Sequence, residues 1–451
     1  MAEPAAGNAP GTAERRREQR GWYVYDWASS AFSTTVVTVF FGPYLTEVTR
    51  NAADARKFVH PLGIPVRDGS YFPYVVSLSV LITVVVLPIV GAIADRTQRK
   101  KELLGGCAYL GAFATMGMYF VRGEAYLLGG ALFLIANVAL GASIVVYNAF
   151  LTEIATADER DGVSARGWAM GYLGGGLLLA ANLGLFTAHD AIGIGEGQAV
   201  RLSLLSAGLW WALWSVVPLR VLRRYRPQWT PDARTSIVRA GFGQLRQTFS
   251  EAKAYPLTLA FLLAYLIYND GIQTVISLAS VYGAEELKLE QGTLIQAILL
   301  VQFVAFGGAL LLGRLARRYG ARDVVLASLG LWTVAVAVGM LLPAGSPTGF
   351  YALAMLIGLV LGGSQALSRS MFSQLIPTGK EAEYFSLYEI SERGTSWLGP
   401  LLFGLVFQIT GSYRSAIASL VVFFVIGAAL LARVDLRRAI SAVGNPLPQR
   451  L

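Results

Sequence analysis

Gly91-Ala92-Ile93-Ala94-Asp95-Arg96-Thr97-Gln98-Arg99-Lys100 follows an apolar run at 72–94 that is long enough to cross a bilayer. A related stretch, Gly313-Arg314-Leu315-Ala316-Arg317-Arg318-Tyr319-Gly320-Ala321-Arg322, follows a second such run at 291–312. The offset is 222 residues (313 − 91). A second pair of stretches repeats the relation. Gly141-Ala142-Ser143 with Tyr147-Asn148-Ala149-Phe150-Leu151-Thr152-Glu153-Ile154 matches Gly362-Gly363-Ser364 with Ser368-Arg369-Ser370-Met371-Phe372-Ser373-Gln374-Leu375, an offset of 221 residues (362 − 141). Nearly equal offsets join like ends of matching runs, so the chain reads as two repeats of the same orientation. Parallel halves around a central cavity are an arrangement that transporters use.

The composition fits a membrane protein. Of the 451 residues, 55% are hydrophobic and 14% charged, against about 25% charged in a soluble domain. Too little charge remains to cover a soluble surface or to keep a chain disordered. Twelve apolar spans are expected, at 21–48, 72–94, 102–121, 125–150, 164–188, 199–221, 255–281, 291–312, 322–342, 349–376, 384–409 and 412–433. They are too long for barrel strands and lack two-residue alternation, so the expected fold is an all-α integral membrane protein of two six-helix halves. The single cysteine, Cys107, forbids an intrachain disulfide, and two distant histidines, His60 and His189, argue against a Cys/His zinc site.

The net charge of +9 is placed asymmetrically. Arg15, Arg16, Arg17, Arg20, Arg96, Arg99, Lys100, Lys101, Arg160, Arg166, a dense run from Arg220 to Lys253, Arg314, Arg317, Arg318, Arg322, Lys380 and Arg433 to Arg438 fall on one side of the spans. The other side carries Arg50, Arg56, Lys57, Arg67, Arg122, Arg201, Lys288 and Arg414. The positive-inside rule puts both termini in the cytoplasm, and the charge needs no nucleic-acid partner to explain it. Asp26 interrupts the first apolar stretch, so that stretch is expected to be an uncleaved helix rather than a signal peptide. Residues 1–20 are expected as a disordered cytoplasmic N-terminus, 21–221 as the first half and 255–433 as the second. Residues 434–451 are expected as a cytoplasmic tail, disordered after about 440. The basic linker at 222–254, with Pro227, Trp229, Pro231 and Phe242, is expected to lie on anionic lipid of the inner leaflet. The lack of a targeting sequence, outer-loop cysteines and large loops favours a bacterial inner membrane.

Gly91-x-x-x-Asp95-Arg96-x-x-Arg99-Lys100 resembles the loop signature of the major facilitator superfamily, and the resemblance covers the whole chain. Tyr25-Asp26-Trp27-Ala28-Ser29-Ser30-Ala31-Phe32, Tyr147-Asn148-Ala149-Phe150-Leu151, Gly362-Gly363-Ser364-Gln365-Ala366-Leu367-Ser368-Arg369-Ser370, Glu383-Tyr384-Phe385-Ser386-Leu387-Tyr388 and Gly399-Pro400 resemble its vacuole effluxer-like branch, related to autophagy-associated vacuolar amino-acid effluxers. The family often has Asn where Ser29 stands and Gly where Ser386 stands. The resemblance implies alternating access and favours export of amino acids. It also implies a gate, in which the carboxylate at the position of Asp95 faces the start of the eleventh helix and pairs with a nearby arginine. Gly91, Asp95, Arg96, Arg99 and Lys100 are the gate residues on this reading, and ordinary inside-positive charge is the alternative. Arg317 replaces the carboxylate in the second copy, so the gate is expected to be asymmetric.

Ionisable residues inside spans are functional candidates because their burial is costly. Glu389, Glu392 and Arg393 share one face of the eleventh span. Glu389 and Arg393 can pair along the helix, and Glu392, near mid-membrane, is a candidate proton carrier. A structural ion-pair cluster is the alternative. Arg369 either binds a substrate carboxylate or pairs with Glu389. Asp26, on a helix that lines the cavity in the family, either meets a substrate amine, carries the proton, or pairs with Arg166 or Arg369. Asn269-Asp270-Gly271 is expected to interrupt the seventh helix and expose backbone groups, with a plain kink as the alternative. Asn137, Asn148, Ser364 and Gln365 are polar residues for substrate or interhelical bonds. Trp210, Trp211 and Trp214 are expected in lipid-facing or interfacial packing.

No Gly-x-x-x-x-Gly-Lys-Ser/Thr, Gly-x-Ser-x-Gly or His-Glu-x-x-His run occurs. No enzyme activity, cofactor or metal is expected, and energy would come from an ion gradient. The expected function is a secondary transporter of a small polar solute, with protons as a possible coupling ion. A zwitterion suits a cavity of both signs, with Asp26 or Asp270 for the amine and Arg369 or Arg393 for the carboxylate. A lipid transporter on the same fold and a non-transporting receptor or scaffold are the rivals.

Overall fold

The computed structural model describes residues 12–97, 99–223, 253–393 and 398–450. Most of the basic linker, with Pro227, Trp229, Pro231 and Phe242, and residues 1–11 lie outside the described residues. The architecture is almost wholly helical. Helix α1 begins at Thr12–Ala31, continues through Phe32–Phe40 in π-helical geometry and ends as Phe41–Asn51. Then come α2 (Tyr71–Arg96), α3 (Lys100–Gly117), α4 (Tyr126–Ala149), α5 (Arg160–Thr187) and α6 (Glu196–Val221). The second half comprises α7 (Pro256–Glu285), α8 (Gln291–Tyr319), α9 (Ala321–Leu341), α10 (Pro347–Gln374), α11 in two pieces (Glu381–Arg393 and Leu398–Thr410) and α12 (Tyr413–Ser419 with Val421–Arg433). A short α13 (Leu436–Ala442) follows.

Among the described residues, ten helices are long and apolar enough to cross a membrane. The other two expected spans fall on the composite α1 and the two-piece α11. The mid-α1 geometry follows from its hydroxyls. Thr38 Oγ1 donates to the carbonyl of Ser33, five residues back, at 2.8 Å, and Thr34 Oγ1 to Ser30 O at 2.9 Å. Such side-chain competition for backbone carbonyls loosens the α pattern, and π-turns concentrate at functional sites. Between α1 and α2 a hairpin pairs β1 (Phe58–Val59) with β2 (Val66–Arg67). Asp54 anchors it by accepting the amides of Phe58 (2.9 Å) and Arg56 (2.8 Å), and these donors hold its carboxyl below the usual range.

Several expectations need correction. Helix α1 starts at Thr12, so residues 12–20 are ordered: Glu18 and Gln19 are buried, and Gln19 Nε2 donates to Ile154 O at 2.9 Å. Helix α7 runs unbroken through Asn269-Asp270-Gly271. The glycine there serves packing, since a Cβ at Gly271 would lie 2.8 Å from Phe423 Cβ of α12. Residues beyond 440 are also built into the fold. Leu436, Ala439 and Ile440 are buried, and Asn445 Nδ2 donates to the carbonyls of Gln374 and Ile376 at 2.8 Å. Trp211 is fully buried, its ring against Gly111 and Phe32, and Trp210 Nε1 donates to Trp27 O at 3.1 Å.

The halves meet where α2 crosses α11 and where α5 crosses α8 and α10. Both crossings lie toward the end carrying most Lys and Arg, hereafter the basic end. At Gly91 a Cβ would sit 2.6 Å from Ala382 O, and at its repeat counterpart Gly313 it would collide with Ala165. The two positions found by sequence repetition therefore occupy equivalent crossings of the two halves.

Candidate functional site

A cavity of about 410 Å³ lies between the halves. Asp26, Asn148, Arg369 and Glu389, all buried, form its deep end, while Ser33, Thr38 and Ile276 on its wall are exposed. Helix α1 runs away from the basic end, so the exposed end of the wall lies toward the opposite face. Ser29, Ser30, Ser33, Thr34 and Thr38 present hydroxyls from one side. Gln273, Gln302 and Gln365 add amides, and Tyr172 Oη donates to Gln365 Oε1 at 2.7 Å.

Arg369 holds the deep end together. Its Nε donates to Ser164 Oγ (2.9 Å), Nη2 to Ser164 O (3.0 Å) and Nη1 to Asn148 Oδ1 (3.2 Å). Nη1 and Nη2 both reach Asp26 Oδ2, at 3.5 and 3.4 Å. These five bonds match the five N–H groups of a guanidinium, and each ends on the first half. The guanidinium carbon lies 4.8, 5.6 and 5.4 Å from the ring centres of Trp22, Tyr147 and Trp168, within cation–π range. Tyr147 Oη donates to the same Asp26 oxygen at 2.5 Å, and Asn148 Nδ2 to Glu389 Oε1 at 2.9 Å. A Cβ at Gly167 would lie 2.6 Å from Asp26 Oδ2 and 3.0 Å from Arg369 Nη2, so this position must stay bare for the pair to form. Of the two partners open for Asp26, the structure selects Arg369. Asn148 connects Arg369 to Glu389.

Glu392 lines the cavity and accepts from Tyr265 Oη at 3.1 Å. Asn269 sits behind it, with Nδ2 3.4 Å from Glu392 O. Asp270 is not on the cavity wall; its Oδ2 accepts Gly399 N at 2.5 Å, capping the second piece of α11. The side chain of Arg393 lies outside the described residues. Tyr147, Ser164, Trp22 and Trp168 were not singled out from sequence. Tyr147 stands beside Asn148 in a quoted motif, whereas Ser164 carries no signal of its own. Among the described residues, no group of three or more His, Cys, Asp and Glu side chains is placed to hold a metal ion.

Asp95 and Lys100, two of the expected gate residues, lie between the halves at the basic end. Asp95 Oδ1 accepts Ala382 N at 3.0 Å and Oδ2 accepts Glu383 N at 2.8 Å, in the first turn of α11. A carboxylate there complements the free amides and the helix dipole. Lys100 stands beside Asp95, its Nζ 3.4 Å from that carboxylate, 2.7 Å from Glu153 and 3.6 Å from Glu381. At the other crossing, Arg160 Nη1 donates to Ser373 O (2.9 Å) and Gln374 Oε1 (3.1 Å), and Ser370 Oγ donates to Asp161 (2.6 Å).

A two-half helical bundle, closed at one end around a polar central cavity, defines the major facilitator class. Solved structures agree on the fold. A bacterial homologue of the iron transporter ferroportin, in an outward-facing state, superposes with a TM-score of 0.67 at 14% identity, covering 94% of this chain and 99% of that one. The major facilitator superfamily transporter FucP, in the outward conformation, gives 0.67 at 12% identity, covering 93% and 97%. A family model described as vacuole effluxer Atg22 like matches residues 14–160 and 152–444. The chain belongs to this Atg22-like family of major facilitator transporters and is not an enzyme. Its relatives include the uncharacterized MFS-type transporter YxiO of Bacillus subtilis (strain 168), 29% identical over 96% of this chain and 98% of the relative. Autophagy-related protein 22 of Kluyveromyces lactis is 27% identical over 97% of each chain.

Proposed function

We propose that this transporter moves a small polar solute, an amino acid or related zwitterion, by alternating access, and exports it with protons as the coupling ion. The supporting observation is the cavity itself, which carries charges of both signs, a hydroxyl belt and an amide belt, and is closed at the basic end by bonds between the halves. Asp26 is held by Arg369 and Tyr147, and Asp270 caps α11, so on this reading the solute's amine meets Glu392 and Glu389 instead. The carboxylate end faces the N–H of Trp168, whose Nε1 is buried on the cavity wall without a hydrogen-bond partner, beside the positive charge of Arg369. The positive-inside rule places the basic end and both termini in the cytoplasm, and the bacterial relative suits a plasma membrane.

The test is counterflow of labelled amino acids into proteoliposomes preloaded with an unlabelled mixture. Accumulation above protein-free liposomes supports the reading. No accumulation of any amino acid by folded protein overturns it and turns attention to lipid cargo, read by a headgroup-flipping assay.

A further inference from the structure

We infer that Asp26 is the coupling carboxylate, and that Arg369 with Tyr147 positions it so that one proton decides whether the halves stay bolted at the cavity floor. The inference rests on the transport reading above and assigns to one residue a step that reading leaves open.

Arg369 belongs to α10 of the second half and is 2% exposed. All five of its N–H groups reach the first half: Ser164 on α5, Asn148 on α4 and Asp26 on α1. Three of these bonds end on the neutral acceptors Ser164 and Asn148, and only Asp26 among the acceptors carries a negative charge. A guanidinium stays protonated in proteins, so the charge balance of the bolt depends on the state of Asp26. Its ionic contacts are long, 3.4 and 3.5 Å, and converge on an oxygen that Tyr147 already occupies at 2.5 Å. Asp26 is 8% exposed and lines the cavity, so water in the cavity can deliver a proton.

Every element packed around α1 contributes to this environment. Helix α4 presents Tyr147, α10 presents Arg369, and α5 presents Tyr172 and the bare Gly167. Helix α6 faces α1 with Trp210 and Trp211, which are uncharged. Glu389 and Glu392 of α11 share the cavity wall, and Glu18 and Tyr25 lie on α1 itself.

The cycle balances. A proton from cavity water binds the Asp26 carboxylate and neutralises it. Arg369 keeps its charge but loses its counter-ion, which favours the state in which the basic end opens and water reaches the guanidinium. The proton then leaves to that side, the carboxylate re-forms, the solute binds from that side, and closure of the pair then carries it to the opposite face.

The experiment uses the same proteoliposomes and labelled amino-acid mixture, with an imposed pH gradient and, separately, in counterflow. Asp26→Asn keeps the acceptor for Tyr147 and Arg369 but cannot titrate. It is expected to retain counterflow and to lose the pH-gradient-driven component entirely. Tyr147→Phe, which leaves the carboxyl in place, is expected to displace the pH midpoint of gradient-driven uptake. Gradient-driven uptake that persists in Asp26→Asn overturns the inference. Wild-type counterflow without any response to the pH gradient also overturns it but leaves the transport reading standing. Absence of wild-type counterflow fails the transport reading itself. Should Asp26→Asn lose counterflow, the Tyr147→Phe profile decides: a displaced midpoint supports the inference and an unmoved one overturns it.

Discussion

At the scale of single residues, the cavity floor is set by a buried cation whose partners all come from the opposite half. Breaking one side of a buried ion pair costs about 3–5 kcal/mol, because the remaining charge has no compensation. Arg369→Met is therefore expected to lower the thermal midpoint of the purified protein sharply. The double variant Arg369→Met/Asp26→Asn is expected to recover part of that loss, since neither charge is then stranded. Two additive single effects in the denaturation curves would show that the pair does not couple. Gly167→Ala sets a methyl against both charges and is expected to cost about 1–3 kcal/mol through overpacking, read in the same assay. Asp26, Asn148, Arg369, Glu389 and Glu392 were legible in the sequence because polar residues in apolar spans stand out. The Asp26–Arg369 pair stood among the alternatives, but the choice of partner was not legible. It depends on helix rotation and on Gly167, which in sequence is only one glycine in a helix rich in them.

At the scale of elements, the repeat reading placed the crossings well. Gly91 and Gly313 were matched by sequence, and each lies where two halves touch. A side chain at Gly91 would meet the backbone of Ala382 and Glu383, which cannot swing aside. Gly91→Val is therefore expected to separate α2 from α11. A cysteine at Ser370, buried at the basic end, should then react faster with a membrane-impermeant thiol reagent in a Cys107→Ser background. Equal labelling rates would show that the crossing does not hold the basic end shut. Helix α7 shows where pattern reading fails. Asn269-Asp270-Gly271 has the composition of a break, yet Asp270 spends its carboxylate on the amide of Gly399, and Gly271 admits Phe423. The π-helical turn of α1 was also invisible, because hydroxyl-rich apolar runs fit an ordinary helix equally well.

At the scale of the whole molecule, charge asymmetry and closure coincide. The basic end carries Asp95 on α11, Lys100 among three carboxylates, Arg160 on α10, and the chain end folded over them. The chain end joins both halves, with Asn445 on the end of α10 and the Gln449 amide on Asp158 at 2.6 Å. Composition suggested a loose tail, since short polar segments carry little pattern; the apolar contacts of Leu436 and Ile440 supply what composition did not show. Asn445→Ala removes two hydrogen bonds of about 1 kcal/mol each and is expected to lower the thermal midpoint slightly. An unchanged midpoint would show that the tail adds nothing to the closed end. The central claim is that this end opens while the cavity closes. The most direct test is the distance between spin labels at Thr97 and Thr378, on opposite halves of the basic end, in a Cys107→Ser background reconstituted in liposomes. Adding the amino-acid mixture or lowering the pH is predicted to populate a second, longer distance. A single short distance under every condition would contradict alternating access.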